Sequence, residues 1–301
     1  MELLRERFEV VSGPRPSPDE LRRLAAGAHA LVADPTVPVD AALLDAAGGQ
    51  LRVVANYAVG YDNIDLDACR ECGVIVTNTP NVLTNATAEL TVALMLTAAR
   101  GLGAAERIVR RRDWTGWEPE QLLGRELACS TIGIVGLGRI GSRVGELLQG
   151  FGSQLTYNSR HPRPELDSRL GLEYRTFDEL LAEADVVTLH LPLNSETRHL
   201  IDAEEFERFK PGAILVNTAR GGLVDTDALI SALRSGQVAA AGLDVYENEP
   251  AVPEELLALE NVVLAPHIGS ATRTARDAMA RLVAENVIAV LEGRAPITPV
   301  N

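Results

Sequence analysis

The chain has 301 residues, 46% of them hydrophobic and 23% charged, with a formal net charge of −14. That composition is globular and the length allows two cores, which excludes disordered and fibrous classes. The acidic balance argues against nucleic acid or an anionic membrane as partner, since both reward a basic face, and no apolar run reaches the ~18–20 residues of a membrane helix.

Taken in chain order, Met1 to Arg7 is charged where a signal peptide would be apolar, so the cytoplasm is the expected location. Leu3–Arg7 reads as helix and His29 as part of a helix-to-strand connection. Leu51–Ala55 is a predicted strand, followed by Asn56-Tyr57-Ala58-Val59-Gly60. Asp65–Gly73 reads as a short helix stopped by glycine. It contains Cys69 and Cys72, but no second Cys or His pair stands nearby to complete a metal site, and none is expected. Val74–Thr77 is the next strand, and Ala86–Arg100 a long apolar helix. Further strands are predicted at Thr131–Val135, Gln154–Tyr157, Val186–Leu189, Ala213–Val216, Ala240–Leu243 and Val262–Leu264. An amphipathic helix, Asp277–Leu291, stops at Gly293.

Short apolar strands alternating with helices indicate an α/β protein with parallel sheets. A Rossmann-type doubly wound nucleotide domain, residues 99–271, is expected inside a smaller flavodoxin-like α/β substrate domain made of residues 1–98 and 272–301. Polar and glycine residues gather just after the strands, at the edge where open α/β sheets bind ligands.

Gly136-Leu137-Gly138-Arg139-Ile140-Gly141 follows a strand and opens a helix. Its glycines would allow a tight turn and let backbone N–H groups approach a pyrophosphate. The next strand ends in Asn158-Ser159-Arg160-His161, without the acid that commonly grips the ribose hydroxyls. Arg160 can instead pair with a 2′-phosphate. NADP(H) is therefore the expected cofactor, with NAD(H) the alternative if Arg160 is only a solvated loop residue.

Reducing a keto acid requires a group that holds the carboxylate and polarises the carbonyl, and a proton donor at the carbonyl oxygen. Arginine suits the first task through its bidentate fork, and histidine the second. A carboxylate on the far imidazole nitrogen fixes the tautomer and stabilises the imidazolium. Arg220, Glu249 and His267 supply these groups at strand-end loops. His29, His161 and His199 are weaker candidates, and His190 precedes Leu191-Pro192, read as cofactor wall.

The ordered motifs Val53–Asp65, Thr77–Pro80, Gly133–Gly141, Leu215–Gly221, Gly242–Pro250 and Ala265–Ala271 resemble those of the D-isomer-specific 2-hydroxyacid dehydrogenases. Within that family they are most similar to the glyoxylate/hydroxypyruvate reductases. Glu249 lies 29 residues after Arg220, and His267 a further 18 on, intervals that fit the family. The resemblance implies that Arg220 binds the substrate carboxylate and polarises its keto oxygen, that His267 donates the proton, and that Glu249 is its partner. It also implies substrate contacts at the Val59 and Gly60 amides. Cofactor contacts are implied at Thr87, Leu137–Ile140, Ser159–His161, Thr218, Ala219, Arg220, Asp244, His267 and Gly269. A homodimer is implied through the nucleotide domain, with Asp113–Gly124 near the partner's active site. Glu249 sets the chain apart from the formate dehydrogenases of the family. A lactate- or phosphoglycerate-type enzyme, or a dinucleotide-sensing co-repressor-like protein, is the alternative. Family members usually carry a strand before the helix matching Leu3–Arg7. Either the smaller domain lacks it, with a bare sheet edge, or the start lies upstream.

Overall fold

A computed structural model describes residues 2–12 and 16–301. Met1, expected inside the first helix, lies outside the described residues; that helix runs Glu2–Arg5. The chain divides into two units, Met1–Leu83 with Ser270–Asn301, and Thr84–Gly269.

The smaller unit holds a three-stranded parallel sheet, β1 (Ala30–Ala33), β2 (Val53–Asn56) and β3 (Ile75–Thr77), in the order β1-β2-β3. Alternate residues of β2 serve two cores, because successive side chains leave a strand on opposite faces. Val53 and Ala55 pack with Val283 and Val287 of the helix Arg273–Leu291, while Val54 packs with Leu43, Leu44 and Val76. β1 forms one edge, and its Val32 is exposed. Beside β3, Val300 N–H donates to the Val76 carbonyl at 2.9 Å.

The larger unit is built on a seven-stranded sheet, parallel throughout: β4 (Thr131–Val135), β5 (Gln154–Asn158), β6 (Leu172–Tyr174), β7 (Val186–Leu189), β8 (Ala213–Asn217), β9 (Val238–Leu243) and β10 (Val262–Leu264). Their order is β10-β9-β8-β7-β4-β5-β6. The winding reverses between β4 and β7, so a crevice opens where the chain leaves those two strands. β7 and β8 are buried at every residue, as strands covered on both faces must be. Ala213 and Leu215 enter one core with Leu229 and Leu233, while Ile214 and Val216 enter the other with Met95, Val144 and Leu148.

Three details differ from the sequence reading. β6 is a strand not anticipated, and β1 is the strand that the His29 connection implied without bounds. The boundaries fall at 83/84 and 269/270 instead of 98/99 and 271/272. The helix Thr84–Ala99 belongs wholly to the larger unit because Ala88, Leu94, Met95 and Ala98 are part of its sheet's core, and a Cβ on Gly242 of β9 would meet Leu94 Cβ at 3.1 Å.

Candidate active site

The glycine loop sits at the reversal of the sheet. Gly136 takes φ 97°, and a Cβ there would come within 2.7 Å of the His190 carbonyl oxygen and 2.9 Å of a Leu191 methyl. A Cβ on Gly141 would lie 2.1 Å from the Gly136 carbonyl oxygen, so only glycine lets this helix start close to its strand. At Gly138 a Cβ would meet no protein atom within 4 Å, which leaves the loop's open face to a ligand. The helix Arg139–Leu148 begins there without a side-chain cap. The N–H groups of Arg139, Ile140 and Gly141 are thus among the four that a helix start leaves without an intrahelical partner. Leu137 is buried behind the turn. These are features of a dinucleotide cradle.

Flanking loops complete the groove. After β5, Asn158 donates to the Arg175 carbonyl and the Ser159 hydroxyl donates to the His161 carbonyl at 2.6 Å. The Arg160 side chain is 78% exposed and lies 3.6 Å from Glu196, an ion pair worth little in water. After β7, His190 shares a 3.0 Å hydrogen bond with Thr188, and burial pushes its imidazole down to about 3. It therefore stays neutral at physiological pH and is no proton donor there. Pro192 accepts the Thr197 hydroxyl at 2.7 Å.

At the other end of the same edge, the loops after β8, β9 and β10 are tied to one another. His267 adopts φ 53°, in the left-handed region, and its Nδ1 stands 2.7 Å from Glu249 Oε2. The second Glu249 oxygen accepts the Tyr246 N–H at 2.9 Å. Burial pushes the Glu249 carboxyl up, but the hydrogen bonds from His267 and Tyr246 and the charges of His267 and Arg220 outweigh it, leaving the carboxyl below its usual range. Asp244 spends both oxygens on this loop, accepting Ile268 N–H and Gly269 N–H at 2.7 Å each. For Asp244 burial dominates over those two amides, and its carboxyl is raised.

Arg220 follows β8. Its carbonyl accepts from Asn217 Nδ2 at 2.8 Å and its guanidinium donates to the Ala219 carbonyl at 2.8 Å. A Cβ on Gly221 would fall 1.9 Å from the Tyr246 carbonyl carbon, so the turn bearing Arg220 lies directly against the loop bearing Glu249. The helix Thr84–Ala99 closes this end, with the Thr87 hydroxyl donating to the Gly269 carbonyl at 3.2 Å and Thr91 sharing a 2.8 Å bond with Thr218. Arg220, Glu249 and His267 are thereby brought to one network, with Thr87, Thr218, Ala219, Asp244 and Gly269 around it. Val59 and Gly60 lie in the smaller unit, just past β2. Sequence reasoning missed Tyr246, whose amide orients the acid and whose hydroxyl donates to the Ala265 carbonyl at 2.9 Å. Its place three residues before a candidate catalytic acid was the one available signal.

Residues 92–269 match the model of the D-isomer specific 2-hydroxyacid dehydrogenase NAD binding domain. The chain belongs to the D-isomer specific 2-hydroxyacid dehydrogenases. Glyoxylate reductase of Thermococcus onnurineus is 49% identical over all of this chain and 92% of its own length. A Thermus thermophilus protein of known structure superposes with a TM-score of 0.92 at 47% identity, covering 100% of this chain and 96% of that one. An NADPH-dependent glyoxylate/hydroxypyruvate reductase from Sinorhizobium meliloti, solved with NADP and malonate, gives 0.86 at 34% identity, covering 100% and 93%. As a member of this family the protein is an NAD(P)-dependent oxidoreductase, and the larger unit is its dinucleotide-binding part.

Proposed function

We propose that this 2-hydroxyacid dehydrogenase reduces glyoxylate, and the related keto acid hydroxypyruvate, to the D-2-hydroxy acid with NADPH as preferred reductant. The observation that carries the proposal is the 2.7 Å bond between His267 Nδ1 and a Glu249 carboxylate whose other oxygen is already fixed. The ionised Glu249 accepts the Nδ1–H of the His267 imidazolium, so that Nε2–H gives its proton to the substrate's keto oxygen and the ring is left as the neutral Nδ1–H imidazole. Arg220 binds the substrate carboxylate and polarises the carbonyl, with the amides of Val59 and Gly60 as further carboxylate donors. The bound nicotinamide supplies the hydride. The cradle of Gly136 to Gly141, with Ser159 to His161, Leu191 and Pro192, holds the dinucleotide, and Arg160 meets its 2′-phosphate. Thr87, Thr218, Ala219, Asp244 and Gly269 line the nicotinamide end.

The proposal extends to a homodimer. No residue of the helix Leu102–Arg111 is buried, and Val109, Trp114, Trp117 and Leu123 are exposed close by in sequence. Apolar side chains in that number mark an interaction surface, and a second copy is the occupant the family resemblance implies. Sedimentation should give twice the 32.3 kDa chain mass. Val109→Glu with Trp117→Glu should give the monomer; a monomeric wild type contradicts this part.

The enzymatic proposal is tested by a panel of keto acids, each with NADPH and NADH. Glyoxylate with NADPH should give the highest kcat/KM. A pyruvate preference would make the enzyme lactate-type, and a clear NADH preference would remove the role of Arg160. Absence of turnover on every acid would favour a dinucleotide-sensing protein.

A further inference from the structure

If the Val59 and Gly60 amides bind a carboxylate, they must be both uncommitted and held still. Neither N–H donates to another described residue. Both carbonyls of the same two residues are gripped by buried asparagines: Asn78 Nδ2 donates to the Val59 carbonyl at 2.7 Å, and Asn56 Nδ2 to the Gly60 carbonyl at 2.7 Å. Fixing the carbonyl of a peptide plane fixes the N–H of the next residue, because the plane is rigid. Asn78 thus fixes the Gly60 N–H through the Val59 carbonyl, while the Val59 N–H is fixed by Thr79, whose N–H donates to the Ala58 carbonyl at 2.8 Å.

Asn78 is in turn held by a segment 220 residues further on. Its own carbonyl accepts the Thr298 hydroxyl at 2.7 Å, and its N–H donates to the Thr298 carbonyl at 3.3 Å. Asn286 Nδ2 donates to the same Thr298 hydroxyl at 2.9 Å, while Asn286 Oδ1 accepts the amides of Ile297 at 2.8 Å and Thr298 at 3.1 Å. Asn286 is fully buried among Val283, Val287 and Ile288 of its helix. A buried amide in such a place is costly unless bonded. Here its oxygen is committed entirely to segment 297–298 and its nitrogen in part, with the remaining bond going to Leu282.

We propose that Asn286, Thr298 and Asn78 form a positioning relay that sets the Gly60 amide for the substrate carboxylate. Segment 297–301 is thus part of the substrate apparatus as well as a strap along β3. The relay rests on the reading of Val59 and Gly60 as carboxylate donors.

The test compares glyoxylate with glycolaldehyde, which has no carboxylate, in the full chain with NADPH. Thr298→Val and Asn78→Ala should each raise KM for glyoxylate about tenfold, as expected for a carbonyl or hydroxyl left without its buried partner. Turnover of glycolaldehyde and KM for NADPH should stay unchanged, and Thr298→Ser should restore the wild-type KM. Equal losses on both substrates would make the residues merely structural and overturn the relay. Val59→Pro, which deletes one of the N–H groups, separates the remaining failures, its folding checked by circular dichroism and its Kd for NADPH. If it weakens glyoxylate selectively while the relay variants do not, the relay alone is wrong. If it too leaves glyoxylate unaffected, the carboxylate reading falls and takes the relay with it.

Discussion

The two ends of the seven-stranded sheet's carboxyl edge are built differently. After β4, β5 and β7 the chain offers glycine, backbone amides and an exposed Arg160, and the side chains of Asn158, Ser159 and Thr197 are bonded there to backbone carbonyls. After β8, β9 and β10 the polar side chains are interlocked: both oxygens of Asp244 and both of Glu249 are occupied, and Gly221 presses on the Tyr246 backbone. The contrast follows from what each end does. Binding a phosphate chain needs open space, N–H groups and charge, which tolerate some play. Moving a proton needs an imidazole fixed to within a fraction of an ångström, and only side chains that are themselves held can fix it.

That contrast can be broken at the interlocked end first. Arg220→Ala should lower kcat/KM for glyoxylate by at least about two decades, as loss of a positioned electrostatic group does. Cofactor binding measured by nucleotide fluorescence should change far less; a loss of only a few fold would place substrate recognition elsewhere. Asp244→Asn leaves one of the two loop amides without an acceptor, a cost of roughly 1–3 kcal/mol. With that much of the His267 placement lost, kcat should fall by roughly one to two decades. An unchanged kcat would show that the His267 loop holds its left-handed turn without the clamp.

The open end should respond more gently. Arg160→Ala should cut the ratio of kcat/KM for NADPH over NADH by about tenfold, the scale of one charge-assisted hydrogen bond. A ratio that does not move would leave 2′-phosphate recognition to another residue. The smallest effect concerns pH. His190 is depressed to about 3 by burial, so the unfolded chain takes up a proton near its ordinary ~6.5 while the folded chain does not. Its contribution to stability is complete above that value and declines as pH falls toward 3. Melting temperatures from pH 7 to 4 should fall less steeply in His190→Gln than in the parent; equal slopes would mean that His190 is more open to water than its burial implies. Glu249, held below its usual range, contributes stability above the ordinary carboxylate pKa of ~4.3 and loses it only at lower pH.

Much of this edge was legible in the sequence because parallel strands all end on the same side. Once Thr131–Val135, Ala213–Val216 and Val262–Leu264 read as strands, the glycine loop, Arg220 and His267 had to share an edge. β1 has no bounds in the sequence reading because its apolar run Ala30-Leu31-Val32-Ala33 is only four residues long, and β6 escaped because it is a three-residue edge strand containing Glu173. The apolar character of the helix Thr84–Ala99 says that it is buried but not against which sheet, so the division at 83/84 has no local signal. The Tyr246 amide, the Asp244 clamp and the Asn78–Thr298 bonds depend on backbone direction or on contacts between distant segments, which no local pattern encodes.

The most direct test is kcat/KM for glyoxylate reduction by His267→Ala, measured beside its Kd for NADPH. The expected result is a fall of at least about two decades with NADPH binding essentially intact. Near-wild-type turnover, or a loss explained wholly by weakened NADPH binding, would contradict the assignment of His267 as the proton donor held by Glu249.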